Sequence, residues 1–269
     1  MFVKRLFSSV VIVAVFLSFI LFSHLPLLLN FGVAILSAAA LYEALKSTKY
    51  FEGRSLMVCG IVLCFVLPFA AKISLAAMLG TVYVFAVIIF IFQIIFFKTF
   101  NFKHTCVVLT LSVFISFSFS TLVLIRNAEH GLFLLFLVFV SSWGTDVGAY
   151  IIGSLLGKHK LCPLVSPKKT VEGAIGGIFF SILCVFICTL CFNLIIDCDF
   201  KYYIVLPLTL GASLLSQIGD LIGSIIKRTF DIKDFGNVIP GHGGVFDRFD
   251  SLIFVAPYIF IVYTLISPV

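Results

Sequence analysis

Residues Ser224–Asp250 read SIIKRTFDIKDFGNVIPGHGGVFDRFD, a polar stretch that lies between two long apolar segments. Acidic and basic side chains are interleaved along it. The run from Pro240 to Gly244 contains too much glycine and proline for a helix. Its glycines let the backbone approach a ligand closely. Such polarity within an apolar chain predicts a loop that binds phosphates and a divalent metal ion at a membrane surface.

The rest of the chain is strongly apolar. Of its 269 residues, 62% are hydrophobic and 11% are charged, whereas soluble domains average about 25% charged residues. A chain this poor in polar residues cannot cover a soluble globule, so we predict a polytopic membrane protein. Its apolar runs are long and unbroken, which favours an all-α helical bundle over a barrel of short alternating strands. The net charge of +6 indicates orientation in the membrane and not nucleic-acid binding.

Nine apolar segments are each close to the roughly 20 residues that a helix needs to cross a bilayer. They are residues 6–23, 26–45, 55–71, 74–97, 105–125, 131–156, 173–196, 203–226 and 248–267. If the N-terminus is cytoplasmic, 15 of the 18 Lys and Arg residues fall on the cytoplasmic side, as the positive-inside rule requires. We therefore predict about nine helices in the inner (cytoplasmic) membrane, with a cytoplasmic N-terminus and a first segment that is retained.

Polar residues divide the chain unequally. We predict that residues 1–140 form a membrane scaffold that faces lipid or a second copy of the chain. Glu43, an acid near the end of its predicted span, is interpreted as interfacial. Residues 141–269 predict the catalytic region. Its cytoplasmic loops are expected at residues 157–172 and 227–247.

Asp146 is a carboxylate inside an apolar segment. If that helix is continuous, Asp146 lies about 18 Å from Lys158 along the axis. An ionised carboxylate at that depth costs at least ~2.5 kcal/mol, so Asp146 is expected to face a cavity, a cation or a partner. Small residues four apart flank it and favour close helix packing. These are Gly144, Gly148, Gly153 and Gly157.

The segment Ser166–Gly173, SPKKTVEG, predicts a loop that leads into a helix. Ser166 is expected to cap that helix and Pro167 to lie in its first turn. Backbone N–H groups at a helix start beside Lys168 and Lys169 form a natural phosphate site. The same lysines also suit an anchor to anionic lipid, and the sequence leaves both interpretations open.

Two further acidic clusters lie near the predicted ends of spans. Asp220, Ser224 and Lys227 are spaced i, i+4 and i+7 and therefore share one helix face. This stripe suits a metal–phosphate site, because Mg²⁺ is usually held by one or two carboxylates plus substrate phosphates. A buried Asp–Lys pair that steadies the helices is the alternative. Asp247 and Asp250 are spaced i, i+3, and one metal ion could be shared between them and Asp220.

Three polar blocks between about residues 140 and 251 carry a pattern of fixed positions. The positions are Trp143, Asp146, Gly157, Lys158, Ser166, Pro167, Lys168, Lys169, Thr170, Glu172, Gly173, Ser224, Lys227, Arg228, Lys233, Asp234, Pro240, His242, Gly243, Gly244, Asp247, Arg248 and Asp250. This pattern resembles the phosphatidate cytidylyltransferase (CDP-diacylglycerol synthase) family. The N-terminal half is similar to that family only in being apolar and polytopic.

The resemblance implies a nucleotidyltransferase reaction and its partners. CTP and phosphatidic acid would give CDP-diacylglycerol and pyrophosphate, in an all-helical membrane bundle that forms a homodimer. The resemblance also implies Mg²⁺ as cofactor, with K⁺ beside it. The active site is expected on the cytoplasmic side, where CTP arrives from water and phosphatidate from the surrounding membrane lipids.

Site residues are assigned by the same resemblance. Asp220 and Asp247 are expected to hold the metal, with Asp146 and Asp250 assisting. The expected catalytic residues are Asp220, Ser224, Lys227, Arg228, His242, Asp247 and Arg248. The expected substrate-binding residues are Lys158, Ser166, Lys168, Lys169, Thr170, Lys233, Gly243 and Gly244.

Two other functions fit a basic polytopic chain. A CTP-dependent lipid kinase of the polyprenol type would release CDP and a phospholipid. A transporter would place polar residues near the midplane of both halves, often in repeats. The polar residues here gather in the second half, which argues against a transporter, and the products of the reaction would distinguish the kinase from the cytidylyltransferase.

Overall fold

A computed structural model describes residues 18, 21–25, 27–48, 54–99, 101–196, 199–236 and 243–266. Eight helical segments in these ranges are long and apolar enough to cross a membrane, and the last of them, Phe246–Ile266, contains two helices, Phe246–Phe249 and Leu252–Ile266. They match eight of the predicted spans to within a few residues, so the polytopic helical bundle is confirmed. The first predicted span, residues 6–23, lies mainly outside the described ranges. The total of nine helices and the cytoplasmic N-terminus therefore stay predictions.

The elements follow one another with short connections. The helices are α1 (Leu28–Ser47), α2 (Arg54–Ile73), α3 (Leu75–Ile95), α4 (Phe102–Asn127), α5 (Gly131–Leu156), α6 (Val171–Ile195), α7 (Tyr202–Thr229), α8 (Phe246–Phe249) and α9 (Leu252–Ile266). The strands β1 (Lys160–Cys162) and β2 (Ser166–Thr170) lie between α5 and α6. Phe22–His24 forms a short 3-10 turn ahead of α1.

The chain forms two compact units. The N-terminal unit draws its described residues from Met1–Glu129 and Phe230–Phe249, and the C-terminal unit from His130–Thr229 and Asp250–Val269. The first unit contains α1 to α4 and α8, and the second contains α5 to α7, the two strands and α9.

Buried polar side chains compensate for a proline in the N-terminal unit. Pro68 lies inside α2 and has no N–H, so the carbonyl of Cys64 loses its helical donor. The hydroxyl of Ser37 on α1 lies 3.4 Å from that carbonyl oxygen and donates to it. Asn30 donates to the carbonyl oxygen of Pro68 at 2.7 Å. The carbonyl oxygens of Cys64 and Pro68 thus both have a side-chain donor from α1, as an apolar environment requires.

Glycines allow α5 and α6 to pack closely in the C-terminal unit. A Cβ added at Gly177 would lie 2.7 Å from the carbonyl oxygen of Thr145, and one added at Gly148 would lie 3.2 Å from the Cα of Gly177. A Cβ added at Gly153 would lie 3.3 Å from the Cα of Gly173. The predicted close approach is confirmed, and α5 is one unbroken helix from Gly131 to Leu156.

The connection between α5 and α6 is a β-hairpin, where the sequence predicted a loop. β1 and β2 pair antiparallel, with Lys160 opposite Thr170 and Cys162 opposite Ser166. The prediction that Ser166 caps α6 and that Pro167 lies in its first turn is wrong, because both residues belong to β2. Thr170 is the cap instead, and its hydroxyl oxygen accepts from the backbone N–H of Gly173 at 3.1 Å.

Candidate active site

Three aspartates meet in the C-terminal unit. Asp146 lies on α5, Asp220 on α7 and Asp250 just before α9. The charges of Asp220, Asp250 and Lys169 all act on Asp146. The Ser251 hydroxyl lies 3.5 Å from a carboxylate oxygen of Asp146 and 3.5 Å from one of Asp250. The fold therefore brings together three of the four carboxylates that the sequence assigned to a metal.

Asp146 keeps exposed surface although it belongs to a membrane-spanning helix. It lies ten residues before Leu156, the last residue of α5, which is about 15 Å along the helix axis. Exposure at that depth, beside other charged groups, is expected of a carboxylate that lines a polar cavity. The sequence predicted such a surrounding from the cost of burying the charge.

Asp250 is buried against α7, with 7% of its surface exposed. One carboxylate oxygen accepts from the backbone N–H of Ser251 at 2.8 Å. The other lies 2.8 Å from the position that a Cβ would take at Gly223, and the Asp250 carbonyl oxygen lies 2.6 Å from that position at Gly219. Glycines at 219 and 223 are therefore what allows Asp250 to approach the helix that carries Asp220. This pair was not among the predicted packing glycines, although its spacing of four residues is a signal of close helix packing.

Lys169 neutralises Asp220. Its ammonium nitrogen lies 2.6 Å from Oδ2 of Asp220, and both side chains are partly exposed. Lys169 lies on β2 and Asp220 on α7, so the hairpin places a lysine ammonium beside the aspartates. The sequence assigned Lys169 to substrate binding and did not predict this ion pair.

Two side chains, Arg228 and Glu172, fix the hairpin to the neighbouring helices. Arg228, at the end of α7, donates from Nε to the carbonyl oxygen of Val165 at 3.2 Å. Glu172, in the first turn of α6, accepts from the backbone N–H of Lys158 at 3.0 Å. Its carboxylate also lies 2.6 Å from Nδ1 of His159. These contacts hold both ends of the hairpin that carries Lys169.

The other residues assigned in this unit occupy positions that a ligand could reach. Ser224 and Lys227 are half-buried and follow Asp220 on α7, an unbroken helix on which the predicted spacing puts them on one face. Lys158 and Lys168 are exposed. The hydroxyl of Thr170 is already occupied as the cap of α6, which gives that residue a structural role beside its predicted contact with substrate.

Asp247 lies in the N-terminal unit, where backbone groups surround its carboxylate. Oδ2 accepts from the N–H of Phe235 at 2.8 Å and from that of Gly244 at 3.1 Å. A Cβ at Gly243 would lie 3.5 Å from this same oxygen and 3.5 Å from Oδ1 of Asp234. Asp220 belongs to the other unit, and its sharing of a metal with Asp247 stays a prediction.

The glycine-rich segment needs its glycines for its own backbone, and their predicted contact with a ligand stays a prediction. Gly243 has a φ of +88°, which disfavours any residue with a Cβ, and Gly244 is buried. Lys233 and Arg248 are exposed beside this segment. His242 lies outside the described residues, so its assignment stays a prediction.

The prediction that Glu43 is interfacial is wrong. The structure buries this residue to 3% exposure and places it against the segment that carries Asp247. Its Oε2 accepts from the backbone N–H of Phe246 at 3.0 Å. Since that partner is a backbone group 203 residues away, no side-chain pattern could have indicated the contact.

Within the described ranges, no group of three or more His, Cys, Asp or Glu side chains could hold a metal ion. Asp146, Asp220 and Asp250 alone therefore form no complete metal-ligand set, and a metal ion there would also need oxygen ligands from substrate or water.

The chain belongs to the cytidylyltransferase family, whose sequence model matches residues 3–266. This match covers nearly all of both units, including the three aspartates and the segment that carries Asp247.

Named relatives lie within the same family. The chain is 33% identical to the phosphatidate cytidylyltransferase of Bacillus subtilis (strain 168) over 270 residues, which cover 98% of each chain. It is 46% identical over 132 residues to that of Staphylococcus aureus (strain COL), an alignment that spans 49% of each chain. It is 44% identical over 134 residues to the phosphatidate cytidylyltransferase of Staphylococcus saprophyticus, an alignment that spans 50% of each chain.

Proposed function

We propose that this protein is a phosphatidate cytidylyltransferase, a multi-pass membrane enzyme that forms CDP-diacylglycerol and pyrophosphate from CTP and phosphatidic acid. The observation that carries the proposal is the cluster of Asp146, Asp220 and Asp250 with Lys169, in which Asp146 and Asp220 belong to membrane-spanning helices. A relative with this name, from Bacillus subtilis, aligns with 98% of the chain.

The reaction needs charge neutralisation more than a general base. A phosphate oxygen of phosphatidate attacks the α-phosphorus of CTP, a new P–O bond forms, and the bond to the β-phosphate oxygen breaks with its electron pair leaving on pyrophosphate. The attacking oxygen is already anionic at neutral pH. The enzyme must therefore bring two polyanions together, and positioning and electrostatics supply most of the catalysis.

We propose Mg²⁺ at the aspartate cluster, with oxygen atoms of the substrate completing its ligands, since the described carboxylates alone form no complete metal site. The ammonium of Lys169 already lies 2.6 Å from Asp220, so a cation occupies this carboxylate before any ligand binds. Mg²⁺ commonly takes one or two protein carboxylates and completes its shell with phosphates and water, which suits an open cluster. When bound, it would neutralise charge on the triphosphate. A role for K⁺ rests on the sequence resemblance alone.

Basic residues of the C-terminal unit would bind the phosphates. Lys169 lies within reach of the cluster and would exchange its contact with Asp220 for one with a phosphate. Lys227 lies on the face of α7 that carries Asp220, and Arg228 holds the turn of the hairpin. Lys168 is exposed on the same strand and would guide CTP or the lipid headgroup.

The location and assembly of the site extend the proposal. We place the site at the cytoplasmic surface, because the basic residues near it follow the positive-inside pattern. The homodimer and the assignment of Asp247 as a metal ligand rest on the sequence resemblance. The named relatives favour the cytidylyltransferase over a lipid kinase or a transporter.

The position of a radioactive label tests the reaction. Purified protein receives Mg²⁺, phosphatidate and CTP labelled at either the α- or the γ-phosphate. We expect the α-label to enter the lipid phase and the γ-label to be released as pyrophosphate. Transfer of the γ-label to a polyprenol, with CDP left in water, would instead establish a lipid kinase, and no turnover of CTP would refute the proposal.

A further inference from the structure

Glu43 is buried in the N-terminal unit without an assigned role. It lies on α1, which was predicted to be scaffold, and 3% of its surface is exposed. A carboxylate inside a membrane-spanning helix is costly unless something compensates its charge. Its position therefore calls for an explanation from its contacts.

The contacts of Glu43 are with one segment, which we call the glycine loop and define as residues 234–236 and 243–247. Oε2 accepts from the N–H of Phe246 at 3.0 Å. A Cβ added at Gly236 or at Gly244 would collide with the Glu43 carboxylate, so the backbone at both positions packs directly on it. Helix α8, which begins within this segment at Phe246, also packs on α1.

A second carboxylate holds the same loop from within. Oδ2 of Asp247 accepts from the N–H groups of Phe235 and Gly244. Glu43 thus contacts Gly236, which follows Phe235, and Gly244 itself, whose N–H binds Asp247. The two carboxylates together determine the path of the loop and the direction of the Asp247 side chain.

One oxygen of Glu43 distinguishes it from a simple structural anchor. Oε1 is fully buried and has no hydrogen-bond partner among the described residues. An uncompensated polar atom of this kind lowers stability. The contacts of the other oxygen with the loop backbone, and not a gain in stability, therefore account for a carboxylate at this position.

We infer that Glu43 is a positioning residue for the reaction, which orients Asp247 by holding the glycine loop. The inference rests on the proposed function, since Asp247 is assigned there as a metal ligand. Residues that orient metal ligands typically change metal affinity or activity by about 10- to 100-fold when they are removed.

The test compares Glu43→Ala and Glu43→Gln with Asn30→Leu, which removes a buried hydrogen bond elsewhere on α1. We expect Glu43→Ala to raise the Mg²⁺ concentration for half-maximal activity by about 10-fold and to leave the KM for phosphatidate within about two-fold. Hydrogen exchange at the Gly244–Phe246 amides should become faster. Glu43→Gln keeps an acceptor oxygen and should fall between Glu43→Ala and the wild type.

Asn30→Leu separates positioning from stability. It should lower the melting temperature without changing the Mg²⁺ requirement or exchange in the glycine loop. If Glu43→Ala and Asn30→Leu have the same effects, or if Glu43→Ala leaves loop exchange unchanged, the inference is wrong. If the wild type forms no CDP-diacylglycerol, the proposed function fails, and the exchange measurement still decides whether Glu43 holds the loop.

Discussion

Carboxylates serve two different purposes in the two units. In the C-terminal unit, Asp146, Asp220 and Asp250 crowd together, and a lysine side chain neutralises one of them. In the N-terminal unit, Glu43 and Asp247 accept from backbone N–H groups of a loop. Carboxylates that accept from amides fix the path of the backbone. Carboxylates that repel one another instead need a nearby cation to offset their negative charge. The first arrangement is suited to shape and the second to binding.

The largest effect is expected from Asp220→Asn. This change removes a negative charge from the cluster and the partner of Lys169, with little change in volume. We expect CDP-diacylglycerol synthesis to fall roughly 100- to 1,000-fold, as measured by transfer of α-labelled CTP into lipid. Asp199→Asn, an exposed acid in the same unit, is the control. Equal activity in both variants would remove the cluster from the mechanism.

Gly223→Ala tests the cluster through its packing. The new Cβ would lie 2.8 Å from a carboxylate oxygen of Asp250 and push it away from α7. A displacement of about 1 Å lowers rates by up to about 100-fold, so kcat should fall while the protein stays folded. Gly80→Ala is the matched control, because a Cβ there meets nothing within 4 Å. If the two variants have the same kcat, the position of Asp250 does not matter.

Lys169→Met should have an intermediate effect on CTP binding. It removes the ammonium beside Asp220 and keeps an unbranched side chain on β2. A charge-assisted hydrogen bond to a phosphate contributes about 1.5–3 kcal/mol, so the KM for CTP should rise at least about 10-fold. Steady-state kinetics against Lys168→Met, the exposed neighbour, shows whether the effect belongs to the cluster. A larger effect at Lys168 would reverse the assignment.

Ser251→Ala should have the smallest effect. Its hydroxyl lies 3.5 Å from both Asp146 and Asp250, at the limit of a hydrogen bond. The backbone N–H that binds Asp250 is retained in this variant. We expect kcat to change by about two-fold, and a loss of more than about ten-fold would mean that Ser251 contacts the substrate.

The sequence predicted the spans and most of the aspartate cluster for identifiable reasons. Bilayer thickness sets helix length, so eight spans could be located from apolar runs alone. Asp146 and Asp220 stood out because charges inside such runs are rare. Their spacing on helices then indicated which residues share a face.

Other features carried no readable signal. The hairpin at residues 160–170 contains Pro163 and Pro167 and lacks the alternation typical of strands, so its pairing could not be predicted. Glu43 contacts a backbone N–H, a group that almost every residue has, so no pattern of side chains could indicate the contact. The ion pair of Lys169 with Asp220 depends on how the hairpin lies over α7, which only the fold determines.

The central claim is that the aspartates of the C-terminal unit bind a divalent metal ion together with CTP. Equilibrium dialysis of the purified protein against Mn²⁺ and CTP measures this directly, with Asp220→Asn and Asp199→Asn alongside. We predict saturable excess Mn²⁺ on the protein side for the wild type and for Asp199→Asn, with affinity lowered at least about 10-fold by Asp220→Asn. Undiminished Mn²⁺ binding by Asp220→Asn would contradict the claim.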